Sequence, residues 1–270
     1  MIESGSRTDT GLVRQSNEDS FGSLPDLDLF VLSDGMGGLE FGEVASRLAV
    51  ETILDHCREA KTDPKLPLNG TPIHGVSDVS NRLVSAIRLA NLAIHREAQR
   101  GNGSGMGATV VAVQFAGERM SLAHVGDSRA YRTQGRDIEQ LTHDHSFVAE
   151  QVRQGNMTDE EASASKLQNV LIRALGVAPE VEVDITEELV TENDTVLLCS
   201  DGLTRELSNA QIAAVLREEE DPQEAANRLV ALANQAGGGD NITAMVLRSA
   251  QRPVGAFACI SRMGRWFKGH

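Results

Sequence analysis

The stretch Val31-Leu32-Ser33-Asp34-Gly35-Met36-Gly37-Gly38 has the pattern of a buried strand that ends in a glycine-rich turn. The residues up to Leu32 are apolar, and Asp34 follows where such a strand would reach the surface. Glycine adopts backbone conformations that other residues avoid and lets other groups approach closely. A carboxylate in this setting suits a hard cation that prefers oxygen ligands. The stretch therefore predicts a cation site at Asp34, provided that other ligands reach it.

Three further aspartates stand beside glycines at the ends of apolar segments. Asp127 and Asp201 follow such segments, and Asp240 precedes one. A single aspartate of this kind is typical of a turn, whereas four suggest a cluster. Clustered carboxylates repel one another unless protons or metals neutralise them. Ligands that offer only oxygen favour Mg²⁺ or Mn²⁺ over Zn²⁺, and a pair of such ions can promote displacement at phosphorus.

The composition indicates a globular protein with a largely aliphatic core. The chain has 270 residues, of which 40% are hydrophobic and 24% charged. A net charge of −14 argues against nonspecific binding to nucleic acid, which relies on surplus Lys and Arg. The three separated cysteines favour a reducing compartment, and no run of about 18 apolar residues predicts a membrane span. We expect a cytoplasmic monomer without a transmembrane segment.

Hydrophobic periodicity gives a coarse order of elements. It predicts helices over 42–58, 79–100, 208–218 and 222–236, a proline-containing loop over 59–78, and a β-hairpin over 108–125. Residues 147–170 are polar and weakly apolar, which predicts a surface flap. Residues 251–270 form a basic C-terminal tail without an acidic residue.

Seven motifs in order carry a family resemblance: Arg14-Gln15-Ser16-Asn17-Glu18-Asp19, Ser33-Asp34-Gly35-Met36-Gly37-Gly38, Gly107-Ala108-Thr109, Gly126-Asp127-Ser128-Arg129, Asp144-His145-Ser146, Ser200-Asp201-Gly202 and Gly239-Asp240-Asn241. Together they resemble the metal-dependent protein serine/threonine phosphatases of type 2C, in their bacterial single-domain form. The resemblance covers about residues 5–248. It implies an α/β (α+β) fold, a four-layer αββα sandwich with two central antiparallel sheets flanked by helix pairs. We expect residues 1–250 to form this phosphatase domain.

The resemblance also implies roles for individual residues. Asp34 would be catalytic and bridge two Mn²⁺ or Mg²⁺ ions, with the Gly35 carbonyl as a further ligand. Asp201 and Asp240 would complete the first metal site, and Asp127 with Asp201 would hold a third ion. Arg14 would be catalytic by clamping the substrate phosphate. The outer shell around the metals would consist of Glu18, Asp19 and Asn241.

The implied activity is hydrolysis of phosphoserine and phosphothreonine with a metal-bridged water or hydroxide as nucleophile. Partners would be phosphorylated proteins and a cognate Ser/Thr kinase in a bacterium, with no nucleic acid. One departure concerns Met36, which stands where many eukaryotic relatives carry a histidine proposed as proton donor. A thioether cannot donate a proton, so metal-bound water and His145 are the candidate donors. The pair His143 and His145 does not predict a zinc site, because no Cys or further His lies nearby in the sequence.

Two alternatives remain open. Residues Cys199 to Arg205 formally fit Cys-x-x-Gly-x-x-Arg, the phosphate loop of cysteine-dependent phosphatases. Against this alternative, Asp201 would place a negative charge inside a loop that must lower a thiol pKa. The second alternative is a catalytically silent phosphatase-like module that binds and signals. The presence of Arg14 and of all expected carboxylates disfavours a silent module.

Overall fold

The computed structural model describes residues 2–37, 41–100, 105–135, 137–191 and 194–249. The predicted basic tail, 251–270, lies outside the described residues. The described strands are β1 (Ile2–Asp9), β2 (Asp19–Leu24), β3 (Leu29–Met36), β4 (Gly107–Ala108), β5 (Val110–Ala116), β6 (Arg119–Val125), β7 (Arg129–Gln134), β8 (Asp137–Gln140), β9 (Asp184–Leu189), β10 (Thr195–Cys199) and β11 (Ile242–Ser249). The helices are α1 (Phe41–Thr62), α2 (Asp78–Arg100), α3 (Phe147–Arg153), α4 (Asp159–Ser163), α5 (Asp201–Glu206), α6 (Asn209–Glu218) and α7 (Pro222–Ala236).

The strands form two antiparallel sheets. One sheet has the order β1-β11-β10-β7-β8, and the other has the order β2-β3-β5-β6-β9 with the short β4 paired to β3. The first and last strands of the described chain, β1 and β11, pair with each other in one sheet.

The first four residues of β3, Leu29 to Leu32, are all apolar because both faces of the strand are buried there. Side chains on a strand alternate between faces. Leu29 and Val31 pack toward helices α1 and α2, whereas Phe30 and Leu32 pack between the two sheets. Each of these side chains is at most 1% exposed, and burying one such side chain contributes roughly 1.5–3 kcal/mol. The apolar run stops at Ser33 and Asp34, and β3 itself continues to Met36, so Asp34 lies within the last half of the strand.

The helices complete a four-layer sandwich. Helices α1 and α2 pack on each other and on the sheet that contains β3, and α5 and α7 pack on β11 of the other sheet. A third apolar layer, with Leu198 and Met245 among its members, fills the space between the sheets. The predicted αββα architecture and all four predicted helices are confirmed, with α1 extending four residues beyond its predicted end at residue 58.

The segment predicted as a flap, 147–170, holds the short helices α3 and α4 between β8 and β9. Thr158 caps α4 by accepting from the Glu161 amide while the Glu161 side chain accepts from the Thr158 amide. Most side chains of the segment 147–170 face solvent. Within the described residues, none of the helices combines the length and apolarity required to cross a bilayer.

Candidate active site

Asp34 lies near the end of β3, where two neighbours hold its backbone. Asp19 on β2 is its partner across the strand pair. On the other side, the Thr109 hydroxyl accepts from the Asp34 amide at 2.9 Å, and the Thr109 amide donates to the Asp34 carbonyl at 2.8 Å. Ser128 shares the Thr109 hydroxyl at 2.7 Å. These contacts fix Asp34 at the edge of its sheet.

Asp201 and Asp240 come from the other sheet. Asp201 begins α5, two residues after the end of β10, and Asp240 precedes β11 by two residues. Because β10 and β11 are paired neighbours, the two carboxylates meet at the same edge. The Arg205 guanidinium contacts both of them, Asp240 Oδ2 at 2.9 Å. Asp201 Oδ1 is buried and has no hydrogen-bond partner.

Asp19 joins the two sheets at this edge. Its Oδ2 accepts from the Ser200 hydroxyl at 2.8 Å and from the Thr243 hydroxyl at 2.6 Å, both on the opposite sheet. Its Oδ1 is buried without a partner. Burial raises the pKa of Asp19 to about 7, and the nearby charges of Asp201 and Asp240 add to the shift.

The pKa values of Asp34 and Asp127 are raised for the same reasons. Burial, followed by the charge of Asp19, raises the pKa of Asp34 well above its usual range. Burial and the charge of Asp201 raise the pKa of Asp127 to about 7. Asp34 is therefore close enough to Asp19, Asp127, Asp201 and Asp240 for their charges to disfavour its own charged form. Buried carboxylate oxygens without partners, in a set of oxygen donors alone, fit divalent cations of the Mg²⁺ or Mn²⁺ type.

Glycines at this edge allow backbone segments to touch. A Cβ on Gly35 would lie 2.0 Å from the Gly42 carbonyl oxygen and 2.7 Å from that of Glu18. A Cβ on Gly42 would lie 2.2 Å from a Glu18 carboxylate oxygen. The start of α1 thus packs directly against the strand end. Any side chain at Gly35 would push apart the groups around Asp34.

Asn241 holds the loop that carries Arg14 and Glu18. Its Oδ1 accepts from the Glu18 amide at 2.8 Å, and its Nδ2 donates to the Thr10 and Ser16 carbonyls, each at 2.9 Å. Arg14 in turn donates to Asp240 Oδ2 at 2.8 Å, with about half of its side chain exposed. The structure therefore brings Arg14, Glu18 and Asn241 beside the aspartates, as predicted, and leaves the Arg14 guanidinium open to solvent.

A cavity of about 1020 Å³ opens beside the cluster, beneath helices α3 and α4. Its lining includes Asp127, Asp201 and Arg205 on the side of the cluster, and Val148 and Asp159 on the side of the two helices. The predicted flap therefore covers a space that is continuous with the carboxylates.

His145 lines this cavity and is 6% exposed, and each of its ring nitrogens contacts another protein group. Nδ1 accepts from the Gly126 amide at 3.1 Å, which places the proton on Nε2, and Nε2 lies 3.3 Å from Asp184. Burial lowers the pKa of His145, so the ring is neutral at neutral pH. The ring fastens the loop that carries Asp127, and the proton-donor role stays a prediction.

His124 lies beside His145, a contact that the sequence spacing did not reveal. The rings of His124 and His145 stack with centroids 4.8 Å apart, and possible ligand atoms of these two residues and Asp184 lie within 4.8 Å of one another. Arg173, however, donates to Asp184 and lies 3.2 Å from His145 Nε2. A guanidinium thus already supplies the positive charge in this cluster.

Cys199 faces the core between its sheet and the helices α5 to α7 and is fully buried. Burial raises the pKa of its thiol to about 12. A thiol with such a pKa stays protonated at neutral pH, and the thiolate is the nucleophilic form. Cys199 therefore lacks the properties of a catalytic cysteine.

Comparison with known proteins identifies this arrangement. A family model described as "Protein phosphatase 2C" matches residues 8–235. The chain belongs to the protein phosphatase 2C family. The chain is 36% identical to the serine/threonine phosphatase stp of Listeria innocua over 246 residues, which cover 89% of this chain and 93% of that protein. As a member of the family, it is a serine/threonine protein phosphatase.

Solved structures agree with this assignment to the protein phosphatase 2C family. The crystal structure of the Mycobacterium tuberculosis serine/threonine phosphatase PstP superposes with a TM-score of 0.80 at 35% identity, covering 92% of this chain and 98% of that one. A structure of the PstP catalytic domain in complex with two manganese ions has a TM-score of 0.78 at 36% identity, with coverages of 92% and 97%.

Sequence reasoning missed several residues of this phosphatase site. Ser200 and Thr243 accompany Asp19, and neither stood out beside the aspartates. Thr109 was quoted only as part of a motif, although it supports Asp34. Arg205 entered only through the cysteine alternative. Its position one helical turn after Asp201 was the available signal, because residues i and i+4 share a helix face.

Proposed function

We propose that the protein hydrolyses phosphoserine and phosphothreonine in proteins at the cluster of Asp34, Asp201 and Asp240, with divalent cations as cofactors. The observation that carries this proposal is the convergence of buried carboxylates from both sheets, two of which retain an unpartnered oxygen. Such a set is unstable as bare charges and is matched to cations. The PstP neighbour with two manganese ions supports a count of two, and Asp127 with Asp201 would hold a third.

Asp34 would help to hold both ions, because it pairs with Asp19 of its own sheet and feels the charges of Asp201 and Asp240 of the other. Asp201 and Asp240 would complete one site, and the Gly35 carbonyl would contribute to the other. Glu18, Asp19 and Asn241 would form the surrounding shell. Asp19 and Asn241 would act by holding neighbouring groups, since their polar atoms already bind Ser200, Thr243 and the Arg14 loop.

When bound, Mn²⁺ or Mg²⁺ would supply the positive charge that activates water and stabilises the phosphoryl oxygens. The chain itself would bind and orient the substrate. Arg14 is suited to the phosphate because its guanidinium is exposed and offers a planar fork of donors. Its contact with Asp240 holds the guanidinium at the cluster before substrate arrives. The cavity beneath α3 and α4 would accept chain segments that flank the phosphorylated residue.

His145 stays the side-chain candidate for protonating the leaving group. Because a neutral imidazole is too weak an acid to protonate a leaving group, the ring would first have to gain a second proton, and it would then have to turn from Asp184 toward the cluster. We favour a holding role for His145, because Nδ1 already fixes the loop before Asp127. A pH–rate profile of His145→Gln distinguishes these roles. Loss of the alkaline limb, with the acid limb intact, would indicate proton donation.

Beyond the reaction, we propose that the physiological substrates are targets of a cognate Ser/Thr kinase in a bacterial cytoplasm, as the named bacterial relatives suggest. We also propose that residues 1–250 act as one monomeric catalytic domain, with 147–170 as its flap and 251–270 as a separate basic tail.

The test is hydrolysis of a phosphothreonine peptide in chelator and after addition of Mn²⁺ or Mg²⁺, with Cys199→Ser as the matched variant. We expect no turnover in chelator, full recovery with metal, and unchanged rates for Cys199→Ser. Activity that survives chelation but is lost in Cys199→Ser would replace this mechanism with a cysteine-dependent one. Absence of turnover with either metal would favour the silent binding module.

A further inference from the structure

Arg205 contacts two aspartates of the cluster, Asp201 and Asp240. It sits four residues after Asp201 on α5 and points back along the helix, so that its guanidinium contacts Asp201 Oδ2. Its Nη1 lies 2.9 Å from Asp240 Oδ2. The Arg205 side chain is 29% exposed, and those of Asp201 and Asp240 are 16% and 17% exposed. The three groups thus form a mostly desolvated ion-pair network.

Arg14 adds a second positive charge to the same oxygen. Its Nη2 lies 2.8 Å from Asp240 Oδ2, so two guanidinium groups lie within hydrogen-bonding distance of one carboxylate atom. The two arginines differ in their surroundings. About half of the Arg14 side chain faces solvent, whereas Arg205 is enclosed between both aspartates and the cavity beneath α3 and α4. Arg14 keeps an exposed part of its guanidinium for a phosphate although it pairs with Asp240, whereas Arg205 is held by both carboxylates.

In this arrangement, Arg205 and a metal ion would compete for the same carboxylate oxygens. The carboxylate lone pairs that accept from its guanidinium are the ones that a cation at Asp201 and Asp240 would use. An arginine guanidinium always keeps its charge in a protein. A binding cation must therefore either displace the guanidinium or remain beside a like charge. The adjoining cavity, which Arg205 helps to line, gives the displaced side chain a place to move.

We propose that Arg205 is an intramolecular competitor of the divalent cations at Asp201 and Asp240, and that it lowers the metal affinity of this phosphatase. The inference rests on the proposed metal site and deepens it. Without metal, Arg205 offsets part of the negative charge of the two aspartates and stabilises the fold. With metal, it is displaced, so the free energy of its ion pairs is subtracted from that of metal binding. The apparent metal affinity is then the intrinsic affinity multiplied by the fraction of molecules in which Arg205 has left the carboxylates.

The test compares Arg205→Met with the wild-type full chain in direct Mn²⁺ titrations, by calorimetry or by electron paramagnetic resonance of free Mn²⁺. Methionine retains the length of the side chain and favours helix. We expect the Mn²⁺ dissociation constant to fall roughly tenfold, which corresponds to about 1.4 kcal/mol. Arg153→Met is the matched control, because Arg153 lines the same cavity but pairs with Glu150 on α3. It removes the same charge and should change the dissociation constant less than about twofold.

Thermal unfolding gives a second, independent readout. Arg205→Met should unfold at a lower temperature than wild type in chelator, because two aspartates lose their counterion, and at the wild-type temperature in saturating Mn²⁺. Arg205→Lys retains the charge without the fork and should give an intermediate Mn²⁺ affinity. An unchanged or weaker affinity in Arg205→Met would overturn the inference, as would equal destabilisation with and without metal. Absence of Mn²⁺ binding to wild type and all variants would instead overturn the proposed metal site.

Discussion

Replacing Thr109 by valine tests whether the support of Asp34 is as specific as the geometry indicates. Thr109 is 3% exposed, and its hydroxyl serves the Asp34 amide and the Ser128 hydroxyl. Valine has nearly the same shape but cannot accept or donate a hydrogen bond. The backbone bond from the Thr109 amide to the Asp34 carbonyl would remain, so the strand contact is retained.

The magnitude follows from the groups left without partners. A buried donor that loses its acceptor costs about 1–3 kcal/mol. Two such groups, the Asp34 amide and the buried Ser128 hydroxyl, give an expected loss of about 2–6 kcal/mol in the free energy of unfolding. Turnover should fall by at least about tenfold, because a misplacement of about 1 Å near reacting groups can cost as much as 100-fold.

The assay is urea unfolding together with turnover of a phosphopeptide at saturating Mn²⁺, corrected for the folded fraction. Thr142→Val is the matched control. The Thr142 hydroxyl is equally buried and accepts from the Ala130 amide at 3.2 Å, away from Asp34. Its loss should cost about 1–3 kcal/mol and leave turnover near the wild-type value. Wild-type turnover in Thr109→Val, or a stability loss no greater than that of Thr142→Val, would refute the reasoning.

Further outcomes are expected from the same site. Asp34→Ala should reduce turnover by more than about 10³-fold at saturating Mn²⁺, since it removes the carboxylate shared by both proposed metal sites; near-normal initial rates would contradict this. Arg14→Ala should raise KM for a phosphopeptide by roughly 10- to 100-fold, the loss of a charged hydrogen bond, and a change in kcat alone would argue against phosphate binding. In chelator, the free energy of unfolding should fall as the pH rises from about 4 to 7. Burial raises the pKa of Asp19 and Asp127 to about 7, so the folded state binds more protons than the unfolded state over this range. Urea unfolding measures this slope, and saturating Mn²⁺ should abolish it. Cys199→Ser should retain wild-type turnover in the same assay, and its inactivity would revive the cysteine mechanism.

Elements buried on one or both faces were predictable from the sequence. The apolar run before Asp34 and the helical spacing of α1, α2, α6 and α7 arise because these segments must bury side chains in a packed layer. The apolar segments before Asp127 and Asp201 and after Asp240 also end or begin where predicted. Placing four aspartates at the ends of such segments was therefore sufficient to predict a cluster.

The edge strands were not predictable by the same reasoning. Strand β9 has the sequence Asp-Ile-Thr-Glu-Glu-Leu, and β1 contains three glycine or serine residues between Glu3 and Arg7. Both lie at a sheet edge, where one side of the backbone and many side chains face outward, so little apolar periodicity is required. The partner strand, rather than the local sequence, determines that these residues are extended.

Residue identity alone also did not assign the partners of the carboxylates. Ser200 and Thr243 look like ordinary strand-end residues, yet the pairing of β10 with β11 directs both hydroxyls to Asp19 of the other sheet. The contact of Arg205 with Asp240 depends on the direction in which α5 leaves β10. Such contacts are set by tertiary geometry, which a linear spacing does not encode.

The position of the cluster links metal binding to the stability of the whole sandwich. Asp34 and Asp19 belong to one sheet, whereas Asp201 and Asp240 belong to the edge of the other. As bare charges these groups push the two sheets apart at this edge, and Ser200, Thr243 and Arg205 offset only part of the repulsion. Cations held by both sheets would convert that repulsion into a bridge and stabilise the folded state by mass action. The same carboxylates that the proposed reaction requires therefore make the metal-free fold less stable. Asp34, whose pKa is raised by burial and by the neighbouring aspartates, is the residue whose replacement by asparagine should stabilise the metal-free protein while removing its function.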